Sequence, residues 1–172
     1  MPMSVRAFML CTVSALLLST AGCSSKTKAL TLPIGEKVQV GKLSYQVIDA
    51  NWQPEVTGLK QPPKNRVLQI HVTVTNTGAE EIAVPMLRLH DAAGNEVSEI
   101  MEIEGNTRWL GMIRRMQPAL TEDGMIYFDV PVGTYKLEVV DNSMADSEQT
   151  AFIEIPASLA PPPSLPADRK GA

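Results

Sequence analysis

Apolar and polar residues alternate with a period of two through much of the middle of the chain, which places every second side chain on one face of a β-strand. The clearest run is 66–75, where Leu68, Ile70, Val72 and Val74 alternate with Gln69, His71, Thr73 and Thr75. The turn formers Asn76-Thr77-Gly78 close it. A second run, 125–130, puts Ile126, Phe128 and Val130 on one side. A third carries Tyr135, Leu137 and Val139 beyond Pro131-Val132-Gly133. Weaker strands are expected over 37–40, 43–52, 82–84, 87–90 and 151–155. Between Leu87-Arg88-Leu89 and Val97, the segment Asp91-Ala92-Ala93-Gly94-Asn95 has the composition of a hairpin loop with Gly94 in the left-handed conformation. About seven to eight short strands separated by Gly, Pro and Asn turns predict an all-β fold, a two-sheet β-sandwich. Residues 98–116 fit either a helical turn or a strand around 107–113, and periodicity does not choose between them.

The ends of the chain lack this pattern. Arg6 precedes a nearly unbroken apolar run over 7–18, followed by the small residues Ser19-Thr20-Ala21-Gly22 and then Cys23. These are the three parts of an export signal, and the run is shorter than the roughly 20 apolar residues that span a bilayer. The segment Thr20-Ala21-Gly22-Cys23 resembles the lipobox of bacterial lipoproteins, with Thr20 where Leu is preferred. The resemblance implies cleavage after residue 22 and a covalent diacylglycerol on Cys23. Two or three acyl chains make such an anchor effectively permanent. Ser24-Ser25, without Asp beside Cys23, implies the periplasmic face of the outer membrane if the cell is Gram-negative. The expected order is a signal peptide over 1–22, a lipid-anchored tether over 23–31, one domain over 32–156 and a tail over 157–172. The tail holds Pro161-Pro162-Pro163 and Pro166 and few large apolar groups, so a disordered or polyproline spacer is expected.

The chain has two cysteines, Cys11 in the leader and Cys23 at the anchor, so the expected mature protein has no disulfide and depends on its core. The formal net charge is −4, and loss of Arg6 makes it one unit more acidic. That balance argues against nucleic-acid binding.

Signatures of catalysis are missing: no Gly-x-Ser-x-Gly, phosphate-cradling glycine loop, His-Glu-x-x-His or Cys-x-x-Cys occurs. His71, on the polar side of its run, is expected to be solvated. Calcium ligation by Asp91, Asn95 and Glu96 lacks the spacing of a calcium loop. Nine methionines in an exported chain raise a sharper possibility, because thioethers with imidazole select Cu(I). His90, Met101 and Met125 match the His/Met spacing of periplasmic copper chaperones, which they resemble in this alone. Asp123 stands where that motif has a second histidine. Copper binding through these three residues is therefore the alternative function. The segment 108–116 interleaves apolar groups with Arg108, Arg114 and Arg115 around Trp109, residue types enriched at interface hot spots. It is a candidate surface for a protein partner in the envelope, unless Trp109 and Ile113 simply plug the core and the arginines are solvated. The loop over 54–64 is long for a hairpin, and long loops on rigid scaffolds often carry binding.

Several strand-and-turn segments resemble a family of bacterial immunoglobulin-like (telokin-like) lipoprotein domains catalogued as a domain of unknown function, of the 4352 type. They are Gly41-Lys42-Leu43-Ser44-Tyr45-Gln46-Val47, the run from Val67 to Gly78, Leu87-Arg88-Leu89-His90-Asp91-Ala92-Ala93-Gly94, and Gly124-Met125-Ile126-Tyr127-Phe128-Asp129-Val130-Pro131. The likeness covers most of the domain and implies a β-sandwich on a lipid anchor, with no catalytic residues and no cofactor beyond the acyl lipid. The function expected is a non-catalytic binding or accessory module of the cell envelope.

Overall fold

The computed structural model describes residues 29–142 and 149–158. Its strands are β1 (Leu30–Pro33), β2 (Lys37–Val40), β3 (Leu43–Gln53), β4 (Arg66–Asn76), β5 (Ile82–Ala83), β6 (Arg88–His90), β7 (Glu96–Ser98), β8 (Arg115–Met116), β9 (Thr121–Val130), β10 (Tyr135–Asp141) and β11 (Gln149–Ile155). One sheet has the order β1-β11-β10-β6-β7, and the other β2-β3-β4-β9. The short strands β5 and β8 pair apart from both. All neighbours are antiparallel except β1, which runs parallel to β11. This is the two-sheet sandwich that the alternation predicts.

The core lies where the two alternating faces meet. Strand β4 contributes Leu68, Ile70, Val72 and Val74, β9 contributes Ile126, Phe128 and Val130, and β10 and β11 answer with Leu137, Val139, Ile153 and Ile155. In β3 the inward set is Leu43, Tyr45 and Val47, then Ala50. A bulge between Val47 and Asp49 changes the parity and leaves Ile48 exposed. Tyr45 donates its hydroxyl to the Val140 carbonyl of the opposite sheet at 2.7 Å, and burial pushes its phenol well above the usual range.

Two expectations need correction. Leu30 and Thr31, placed with the tether, belong to β1, because parallel pairing with Ala151 and Phe152 occupies their backbone. Residues 98–116 hold neither a helix nor a strand over 107–113. They form an irregular crossing with isolated bridges Leu59↔Ile103 and Trp109↔Met125, ending in the two-residue β8. The leader, Cys23 and residues 159–172 lie outside the described residues. Ala157, placed at the head of the tail, still touches the domain, since its carbonyl accepts the Trp52 indole N–H at 3.0 Å.

Candidate functional site: the loop-capped face of the β2-β3-β4-β9 sheet

An antiparallel sheet commonly packs one face on the core and leaves the other in water. Here the outer face of the β2-β3-β4-β9 sheet also carries buried apolar groups, namely Val67, Met125 and Tyr127. With Ile103 they form a second, smaller cluster, against which Val56, Leu59, Ile100 and Trp109 pack. Burying Val67, Ile103 and Met125 contributes about 1.5–3 kcal/mol each. The cover consists of two loops, 54–65 and 99–114.

Each loop is pinned by identifiable bonds. Strand β9 is an edge strand, and unpaired edges invite association. Loop 99–114 occupies part of that edge: Met125 N donates to Arg108 O at 2.7 Å, Leu110 N to Met125 O at 3.1 Å, and Ile100 N to Tyr127 O at 2.7 Å. Leu110 fits only because residue 124 is glycine, since a Cβ there would stand 2.5 Å from Leu110 Cδ2. At the other end of this loop Arg114 pairs with Glu99, their side chains only 2% and 0% exposed. Arg114 Nε also donates to Gly111 O at 2.7 Å, and Glu99 Oε1 accepts Leu87 N at 2.6 Å. Loop 54–65 is held by the Asp129 carboxylate, which accepts Lys64 N and Asn65 N at 2.8 Å each. The loops meet where Glu104 N donates to Gly58 O at 2.8 Å. Beside that contact Lys60 pairs with Glu102 at 2.7 Å, and this hydrogen-bonded partner raises the Lys60 ammonium above its ordinary range.

Three clefts border the capped face. One of about 400 Å³ lies over Leu59, Pro62, Ile100 and Met101. Another of about 560 Å³ sits within loop 54–65 itself. The third, about 500 Å³, is floored by Gln53, Gln69 and Tyr127 and walled by residues 55–57 and 105–108. The floor residues project from β3, β4 and β9, where Asn51 pairs with Gln69 and Gln69 with Tyr127.

The expected basic rim around Trp109 is not formed as a unit. Trp109 is half-buried in the smaller cluster, and its indole N–H is buried without a partner. Arg114 is internal, because its guanidinium neutralises the buried Glu99 carboxylate. Arg108 and Arg115 are exposed, Arg115 lying 3.6 Å from Glu81 and Arg108 lining the third cleft. The copper alternative fails on geometry. His90 lies on the outer face of the five-stranded sheet, bonded to Glu138 at 2.9 Å and packed edge-on against Phe152. Met125 lies on the outer face of the other sheet with the core between them, and Met101 is an exposed loop side chain. Among the described residues no three His, Cys, Asp or Glu groups are arranged to hold a metal. Asp91 folds back on its own turn, accepting Ala93 N and Asn95 N at 2.8 Å each, and these turn bonds consume the calcium-like groups. His71, expected to be solvated, is bracketed by carboxylates: Nδ1 is 3.4 Å from Asp49 and Nε2 is 2.8 Å from Asp123.

The chain belongs to the family described as Domain of unknown function (DUF4352), which it matches over residues 32–150. Among solved structures it is similar to the yjhA protein from Bacillus subtilis, at 20% identity and a TM-score of 0.55, covering 71% of this chain and 98% of that one. It is also similar to MPT63, a secreted protein from Mycobacterium tuberculosis, at 18% identity and a TM-score of 0.54, covering 76% and 98%. A third likeness is ycdA, a proposed lipoprotein from Bacillus subtilis, at 17% identity and a TM-score of 0.58. That match covers 70% of this chain and 38% of the other. These likenesses establish the fold. No curated protein matches the chain.

Proposed function

We propose that this protein is a lipid-anchored module of the cell envelope that binds a partner, without catalysis, through the loop-capped face of its β2-β3-β4-β9 sheet. One observation carries the reading: two long loops are pinned over a sheet whose core is already complete, and they surround clefts there. A sandwich needs only short connections, so loops of this length with dedicated pins mark a presented surface. Anchoring through Cys23 rests on the lipobox-like Thr20-Ala21-Gly22-Cys23, and the structurally similar proteins described as secreted or as a proposed lipoprotein are consistent with export.

The test is in-cell photo-crosslinking of the full lipoprotein, with the crosslinker at Thr107 on the capped face or at Lys136 on the outer face of the five-stranded sheet. A discrete adduct from Thr107 that Lys136 does not give is the expected result. Identical adducts from both positions, or none from Thr107, would overturn the reading. In the same cells the wild type is expected to take up radiolabelled palmitate and Cys23→Ser to take up none, and unlabelled wild type or equally labelled Cys23→Ser would refute the anchor.

A further inference from the structure

We infer that the cleft floored by Gln53, Gln69 and Tyr127 is a binding site for a short saccharide. The inference rests on the reading above and names the ligand class for the capped face.

Several groups lining this cleft have hydrogen-bonding capacity that the fold does not use. Tyr127 is 3% exposed, and its oxygen accepts from Asn106 Nδ2 at 2.9 Å. A phenol is also a donor, and no acceptor for that proton occurs among the described residues. Gln69 directs its amide nitrogen at the Met125 sulfur, a weak acceptor at 3.3 Å, and its carbonyl oxygen has no partner there either. Gln53, Thr57 and Thr107 line the same space. Glu55 on one wall and Arg108 on the other form no ion pair with any described residue. Amides, hydroxyls, one carboxylate and one guanidinium thus face a single cleft, each able to donate, accept or do both.

That inventory fits a ligand whose own groups both donate and accept at close spacing, as the neighbouring hydroxyls of a sugar do. Other classes fit less well. An extended peptide binds by adding a strand to a free sheet edge, but this floor is a sheet face whose backbone is already paired. A phosphate or other strong anion would meet Glu55 as well as Arg108. A nucleobase needs an exposed aromatic face to stack on, and the ring of Tyr127 is buried. The volume of about 500 Å³ falls in the usual range for small-ligand sites. Floor side chains on three paired strands hold their positions better than loop side chains would, so the recognition groups are preset. The walls are held separately, by Asp129 on one side and by the β9 edge bonds on the other.

The experiment titrates chitotriose, and separately maltotriose, into the isotope-labelled full-length lipoprotein in detergent micelles, reading backbone amide shifts. Saturable shifts from at least one sugar, concentrated at residues 53–57, 69, 105–108 and 127, are expected. Arg108→Ala, an exposed position that leaves the fold intact, should weaken that sugar about tenfold, the loss of a charge-assisted hydrogen bond. Gln69→Leu should weaken it at least as much, whereas Lys136→Ala on the other sheet should leave affinity unchanged. The inference is overturned if neither sugar gives saturable shifts at tens of millimolar, if the shifts fall elsewhere, or if both cleft variants bind normally. If the sugars fail while Thr107 still crosslinks a discrete protein, only the ligand class falls and the binding-module reading stands.

Discussion

Replacing Arg114 with methionine strips the positive half from a buried ion pair and leaves Glu99, fully buried, with Leu87 N as its remaining partner. Removing one partner of such a pair costs about 3–5 kcal/mol, because an uncompensated charge stays behind. Domains of this kind are stable by only about 5–15 kcal/mol, so the loss is a large share of the total. At roughly 3–5 °C per kcal/mol for this size, the melting temperature should fall by about 10–25 °C. The double variant Glu99→Leu/Arg114→Met removes both charges. It orphans Leu87 N, a cost of about 1–3 kcal/mol, whereas the Gly111 and Pro85 carbonyls lose their partner equally in Arg114→Met alone. It should therefore be more stable than Arg114→Met alone, which opposes simple additivity. Urea unfolding of the wild type, both single variants and the double variant measures the cycle, with equal slopes confirming two-state behaviour. A cost for Arg114→Met below about 1 kcal/mol, or a double variant as unstable as the sum of the singles, would refute the buried pair as the pin of loop 99–114.

Glycine positions and pH supply two further expectations. Gly58→Ala places a Cβ 2.0 Å from the Glu104 carbonyl at a residue with φ of +95°, so the contact between the two loops must open. A loss of about 1–3 kcal/mol in thermal melts is expected, and an unchanged melting temperature would disprove that contact. Asp91 is held below its ordinary carboxylate value first by the Asn95 side chain and then by backbone N–H groups. Its folded value being lowered, the hairpin gains stability that is complete above the unfolded value near 3.8 and is lost as pH falls through the folded value. NMR titration of the Asp91 carboxyl should show Asn95→Ala moving its midpoint upward, and no movement would remove Asn95 as the cause.

The strands were legible because one face of each is buried. The alternation of Leu68, Ile70, Val72 and Val74 has only one solution that hides all four. Weaker alternation in β3 concealed a parity change at the Val47–Asp49 bulge, since Ile48 is apolar yet exposed. The capped face left a subtler trace. In β9 the residues Gly124-Met125-Ile126-Tyr127-Phe128 are buried without interruption, the signature of a strand covered on both sides. Taken that way, the run predicts a second layer over β9, although it cannot say that the layer is loop 99–114. Arg114 was misplaced for a physical reason: an arginine is exposed by default, and only its pairing with Glu99, 15 residues away, reverses this. The polar cleft was hidden more deeply. Gln53, Gln69 and Tyr127 converge through strand register, and no local spacing encodes register between strands this far apart in the chain.

The same geometry would couple stability to the binding proposed for this face. The cleft floor belongs to the strands, but its walls exist only while the loops stay down. Those loops depend on a few pins, the Glu99–Arg114 pair, the Asp129 carboxylate and the β9 edge bonds. A ligand touching both walls binds only the closed arrangement, so it adds to the free energy holding the loops in place. At a hundredfold excess over its dissociation constant that addition is about 2.7 kcal/mol, close to the lower end of the loss expected when Arg114 alone is removed. Loops stabilised by two such sources can carry weak pins without losing the site. With the proposed ligand as one of those sources, a capped face can be built from a small apolar cluster, one orphaned indole N–H and a handful of backbone bonds, rather than from a second full core.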